Sequence, residues 1–172
     1  QSVEALYMPG LFSAPLSWEL SQELCHNLKI KLQTFPIKFL HSTLRQSFQH
    51  ELRQPLEAMA DENIQSRLRG LILYARSNQA GAMVVNTSNK SELAVGYSTL
   101  YGDSVGAISL LGDLYKTEVY QLAEYLNRQY KNFIPQGILA RAPSAELREN
   151  QQDQDLLPPY ARLDVILEAL LC

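Results

Sequence analysis

Two periods run through the hydrophobic and polar positions of this chain. Leu16, Leu20, Leu24 and Leu28 recur every fourth residue, which predicts an amphipathic helix over 17–29 with Ser17 as its N-cap. Leu44, Phe48, Leu52 and Leu56 draw the stripe of a second helix. A third begins near Asp61 and turns Ile64, Leu68, Leu71, Ile72 and Ala75 toward a core. A short helix is expected from Ser91, and another carries Val119, Leu122, Ala123 and Leu126. A last one, after Pro158-Pro159, carries Leu163, Ile166, Leu167 and Leu170.

Between the helices lie short apolar runs of strand character, at 2–8, 32–37 and 107–111. Ala82-Met83-Val84-Val85 reads as a strand buried on both faces. Strands alternating with helices predict an α/β class, an open parallel sheet with helices on both faces and the Val84-Val85 strand at its centre. Residues 1–172 are read as one domain, with no linker. Segment 129–154, with Pro135, Gly137 and Pro143, is polar enough to be expected as a mobile loop.

Composition narrows the class. Of 172 residues, 46% are hydrophobic and 19% charged, a globular balance, and the net charge of −3 argues against a nucleic-acid binder. No apolar run reaches membrane-span length and the N-terminus lacks a signal pattern, so a cytoplasmic protein without a membrane partner is expected. Cys25 is expected buried on a helix. With Cys172 it makes neither a disulfide framework nor a metal cluster. His26, His41 and His50 are scattered without an acidic or cysteine partner at ligand spacing, and His41 reads as a helix-start residue.

Candidate chemistry concentrates between Asp61 and Lys116. Asn86-Thr87-Ser88-Asn89 follows a strand, where parallel sheets bind ligands. Glu92 opens the next helix, where a carboxylate oxygen suits Mg²⁺. Thr87 or Ser88 serves equally well as a helix cap. Asn63 and Arg67 share one helix face, and Arg67 or Arg69 suits a phosphate or carboxylate. Both also read as solvated residues. Lys116 starts a helix, where the macrodipole does not favour a cation, so a phosphate ligand and a plain surface lysine both remain open. Gly96-Tyr97-Ser98-Thr99-Leu100-Tyr101-Gly102-Asp103 reads as a tight turn with aromatic surfaces, and Ser144 as a nucleotide contact or a turn cap.

Taken in order, Met8-Pro9, Glu62 to Gly70, Thr87-Ser88-Asn89-Lys90-Ser91-Glu92, Tyr101-Gly102-Asp103, Leu114-Tyr115-Lys116, Pro143-Ser144-Ala145-Glu146-Leu147 and Leu157-Pro158-Pro159-Tyr160 resemble the synthetase domain of NAD synthetase. The glutamine-dependent branch is the nearer match. The resemblance implies the adenine-nucleotide α-hydrolase fold and ATP-dependent amidation of deamido-NAD through an adenylated intermediate, with release of AMP and pyrophosphate. It implies ATP contacts at Thr87, Lys116 and Ser144. Deamido-NAD contacts fall at Asn63, Arg67, Glu92 and Asp103, with Glu92 also a Mg²⁺ ligand. Ammonia would come from a separate glutaminase domain, in a homo-oligomeric parent protein. Leu100 and Ala107 depart from the lysine and aspartate of the ammonia-only branch, so those contacts are not carried over. The family's Ser-Gly-Gly-x-Asp-Ser pyrophosphate loop and its C-terminal basic segment are not among these residues. The expectation is a partial domain, lacking its first strand-loop-helix unit, holding no assigned catalytic residue and inactive alone. A non-catalytic nucleotide-binding or dimer-scaffold remnant is the alternative.

Overall fold

The computed structural model describes residues 3–171. The first position of the expected strand at 2–8, and Cys172, lie outside them. The chain begins with β1 (Glu4–Tyr7), α1 (Pro15–Asn27), β2 (Lys31–Thr34), α2 (Lys38–Glu51) and α3 (Ala58–Ala80). It continues through β3 (Val85–Asn86), α4 (Lys90–Ala94), β4 (Ile108–Ser109), α5 (Lys116–Gln129), α6 (Gln136–Ala140), a 3-10 turn (Asp153–Asp155) and α7 (Tyr160–Leu171).

Both strand pairings are parallel, as alternation with helices requires. Glu4 stands opposite Lys31 and Tyr7 opposite Thr34. Val85 stands opposite Ile108 and Asn86 opposite Ser109, with Ala107 N–H also bonded to the Val84 carbonyl. The α/β class therefore holds, but the described strands form two pairs rather than one continuous ladder. Val84 is buried while Met83 and Val85 are exposed, so the expected two-sided cover is absent among the described residues: β3 is only two residues long and pairs with β4 alone.

Helix ends depart from the sequence expectation for local reasons. α1 starts at Pro15, whose fixed φ and missing N–H suit the first helical position, so Ser17 is inside the helix rather than its cap. α2 stops at Glu51, leaving Leu52 exposed beyond it and Leu56 buried in the connection. α3 begins at Ala58, ahead of Asp61, and ends at Gly81, whose φ of 61° is left-handed and favours glycine.

The core is in two parts. Ile37, Leu68 and Ile72 pack together with Met8 and Leu44 against them. Tyr115, Tyr160, Leu163 and Leu167 form the second cluster, with Leu157 alongside. Leu71 is 65% exposed and Ala75 is also exposed, because the buried positions of α3 are Gln65, Ser66, Leu68, Gly70 and Ile72. Cys25 is buried as expected. His41 is fully buried on α2 and does have an acidic partner, Asp61, at 2.7 Å from its Nε2. The two residues are 20 positions apart in sequence, which hid the pair. Segment 129–154 is not a free loop. Glu146 accepts from Ala14 N–H at 3.1 Å and from the Ser17 hydroxyl at 2.5 Å, and pairs with Arg141.

Candidate functional site

A cleft of about 800 Å³ opens where β1, α1, α3, the turn after α4, the start of α5 and segment 141–156 converge. That volume suits a nucleotide-sized ligand. A second, shallower groove along α2, lined by Arg45, His50 and Arg53, holds none of the sequence-predicted residues.

Lys116 and Glu92 stand at the centre of the candidate chemistry. Lys116 opens α5 and donates from Nζ to Glu92 Oε1 at 2.7 Å, both side chains being less than one-fifth exposed. The start of α5 is an unfavourable place for a cation, and two carboxylates offset it. Glu92 takes the ammonium, and Asp164 of α7 accepts from Thr117 N–H at 2.8 Å at the positive end of the helix. Asp164 also accepts from the Ser91 hydroxyl at 2.5 Å, and that hydroxyl in turn accepts from Lys116 N–H at 2.8 Å. α4, α5 and α7 are thereby tied together under the pair. Asn89 caps α4 through Glu92 N–H at 3.0 Å, a role the sequence had left to Thr87 or Ser88.

The turn after α4 is held against α3. Asp103 Oδ1 accepts from the Ser66 hydroxyl at 2.9 Å and from Thr99 N–H at 2.7 Å. Asn63 Oδ1 accepts from the Thr99 hydroxyl at 2.7 Å. Gly70 and Gly102 permit the approach: a Cβ on Gly70 would meet the Tyr101 carbonyl at 2.6 Å. The tyrosines of the turn do not stack. Tyr101 is 82% exposed, whereas Tyr97 turns inward and donates to Asp153 at 3.3 Å.

Asn63, Glu92, Asp103, Lys116 and Ser144 thus line one cleft. Thr87 and Arg67 do not. Thr87 is exposed between the buried Asn86 and Ser88, and Arg67 is exposed and donates to the Leu100 carbonyl at 3.1 Å. Arg69, the other arginine weighed for anion binding, lines the cleft and donates to the Met8 carbonyl at 3.0 Å. Burial lowers its pKa, opposed by Glu146, Tyr7 and Asp103, and arginine stays charged regardless. Ser144 caps its own turn, donating to the Gln151 carbonyl at 2.5 Å and accepting from Glu146 N–H at 3.2 Å.

Sequence reasoning missed Asp153, Tyr160 and Arg141. Asp153 is buried and accepts from Tyr160 at 2.8 Å and from Tyr97 at 3.3 Å. Burial first, and the Asp153 carboxylate with it, pushes the Tyr97 phenol up to about 12 and raises that of Tyr160. An acid placed shortly before an apolar helix start was the available signal. No group of three or more metal-ligating side chains occurs among the described residues.

The model of a family described as NAD synthase matches residues 1–172. The chain belongs to the NAD synthase family. A glutamine-dependent NAD(+) synthetase of Aquifex aeolicus is 46% identical over 97% of this chain, which covers 29% of that protein. The chain therefore spans about 30% of the length of the curated relatives it matches first. Among solved structures, an NMN synthetase from Francisella tularensis superposes with a TM-score of 0.86 at 30% identity, covering 98% of this chain and 67% of that one. A glutamine-dependent NAD+ synthetase from Acinetobacter baumannii, in complex with ADP, gives 0.77 at 34% identity, covering 97% and 29%. These likenesses bear out the family resemblance and the α/β fold.

Proposed function

We propose that this chain forms part of an enzyme that amidates deamido-NAD to NAD at the expense of ATP. The observation that carries the reading is the convergence of Asn63, Glu92, Asp103, Lys116 and Ser144 on one cleft in a chain matched throughout by the NAD synthase family. The ADP bound by the Acinetobacter baumannii relative supports a nucleotide in that cleft.

Chemically, the deamido-NAD carboxylate attacks the α-phosphorus of ATP, pyrophosphate leaves, and ammonia then displaces AMP from the acyl carbon. Negative charge grows on the departing phosphates, and a fixed ammonium nearby stabilises it without reorganising. Lys116 is that group in this reading. Its ammonium carries three donors, so a phosphate oxygen can be met while Glu92 keeps one. Arg69 supplies a second positive charge in the cleft, and Asn63 and Asp103 offer polar contacts to the dinucleotide. Mg²⁺ would accompany the ATP phosphates in this reading, with Glu92 as the proposed carboxylate. Glutamine as the ammonia source, a glutaminase domain, a homo-oligomer and a cytoplasmic location belong to the same reading. No helix among the described residues is long and apolar enough to cross a membrane.

The Francisella tularensis likeness supports a second reading, a mononucleotide substrate in the same cleft. Both are tested by assaying the complete encoded protein with MgATP and ammonium or glutamine, offering deamido-NAD or its mononucleotide. Pyrophosphate and NAD should appear together with deamido-NAD. Product only from the mononucleotide would favour the second reading. Neither product, from a folded protein, would overturn both.

A further inference from the structure

Lys116 has a second neighbour besides Glu92. Its Nζ stands 5.3 Å from the centroid of the Tyr160 ring, within cation–π range. Tyr160 is 6% exposed and part of the hydrophobic cluster with Tyr115, Leu163 and Leu167, so packing holds the ring on one side. Its hydroxyl end is held as well, by the bond of 2.8 Å to Asp153, itself 4% exposed. Asp153 is fixed in turn by Tyr97, whose ring lines the cleft. A lysine has four flexible side-chain torsions, and a single ion pair leaves several of them free. A ring face held by packing and by its hydroxyl removes part of that freedom.

We propose that Tyr160, through its packed ring face, is a positioning residue that holds the Lys116 ammonium toward the phosphates of a bound nucleotide. The proposal rests on the nucleotide reading above but adds to it a dependence on the Tyr160 ring. Burial raises the phenol pKa of Tyr160, which keeps its proton available to Asp153 throughout the neutral range. Tyr160 acts through its ring, so removal of the hydroxyl and removal of the ring have different consequences. Tyr160→Phe keeps the face and leaves Asp153 with Tyr97. Tyr160→Leu keeps apolar packing and removes the face.

Two measurements on the protein test this. In the first, NMR of the lysine ε-methylene protons reads the ring directly, with no ligand needed. Lys116 should be shifted upfield by the ring current in the wild type and in Tyr160→Phe, and should move to the ordinary lysine position in Tyr160→Leu. A wild-type Lys116 resonance at the ordinary position overturns the proposal. In the second, ADP and MgATP titrations give dissociation constants. Tyr160→Leu should weaken binding roughly five- to tenfold, and Tyr160→Phe less than about twofold, the span expected of a cation–π contact. In a Lys116→Ala background, Tyr160→Leu should add nothing, because the two act as one unit. Additive losses would show that Tyr160 acts structurally and would overturn the proposal. Leu163→Ala, which opens the same cluster without touching Lys116, controls for general loosening. A loss equal to that of Tyr160→Leu would also overturn it. Failure of the wild type to bind either nucleotide refutes the functional reading and, with it, the phosphate half of this proposal, while the NMR result still decides the placement of Lys116.

Discussion

Replacing Asp164 with alanine tests the joint between α4, α5 and α7. The carboxylate is 5% exposed and accepts two hydrogen bonds, from the Ser91 hydroxyl and from Thr117 N–H. It also lies at the N-terminus of α5, where a negative charge contributes about 0.3–1 kcal/mol. Hydrogen bonds to a charged group contribute about 1.5–3 kcal/mol each when the alternative is an unpaired buried donor. Two such bonds plus the dipole term give an upper value near 7 kcal/mol. Water reaching the vacated space recovers part of it, so about 3 kcal/mol is expected. For a chain of this size that lowers Tm by about 6–12 °C. Urea unfolding followed by circular dichroism measures the same loss as a lower midpoint at unchanged slope. Glu168, exposed on the same helix, is the control, and its alanine variant should stay within about 0.5 kcal/mol. A double-mutant cycle with Ser91→Ala should show coupling of about 1 kcal/mol, since the two share a bond. An Asp164→Ala loss below about 0.5 kcal/mol, or a Ser91 effect that simply adds, would refute the joint.

Gly70→Ala places a Cβ 2.6 Å from the Tyr101 carbonyl, a backbone atom that cannot swing aside. It should destabilise by about 1–3 kcal/mol, and a neutral melting temperature would mean that the turn is not seated on α3 as described. Tyr97 titrates near 12 instead of 10.0, so its folded form holds the proton longer than its unfolded form. Stability is then fully present below pH 10 and is lost as pH rises toward about 12. Tyrosinate absorbance should show a late-titrating fraction, which Tyr97→Phe reduces, and a titration curve identical in the variant would contradict this. Glu92→Gln should lower NAD synthesis by about a hundredfold, the order typical of one lost electrostatic contact. Unchanged turnover at saturating Mg²⁺ would remove Glu92 from the mechanism.

Helix positions were legible in the sequence because the four-residue spacing of Leu20 and Leu24, or Leu68 and Ile72, is a local signal. Helix ends were less so. Ser17 has the side chain of a cap, yet its hydroxyl is used by Glu146, 129 positions later, and no local pattern records that. β3 was expected at Ala82-Met83-Val84-Val85 and is found at Val85–Asn86, and the exposure of Met83 and Val85 depends on which strands lie beside it. Family motifs picked out Asn63, Glu92, Asp103 and Lys116, which the fold brings to one cleft. They did not reveal what each residue is bonded to.

That difference bears on how the site works. Ser91 meets Asp164 across 73 positions, Lys116 meets Glu92 across 24, and Asp103 meets Ser66 across 37. The candidate groups that line the cleft, Asn63, Glu92, Asp103, Lys116 and Ser144, are already hydrogen-bonded within the chain, so the cleft is shaped by internal pairs rather than by waiting charges. Such pairing reduces the reorganisation needed when a ligand arrives, since the groups are held in place beforehand. It also sets a condition on binding at Lys116. A phosphate must add to the Glu92 contact using the two remaining ammonium donors, or else displace a carboxylate at 2.7 Å. Sharing is the less costly route, because displacement would leave a carboxylate that is only 19% exposed without its cation. On the proposed reading, the geometry of the Lys116–Glu92 pair, more than the presence of the lysine alone, sets where a nucleotide's phosphates can sit.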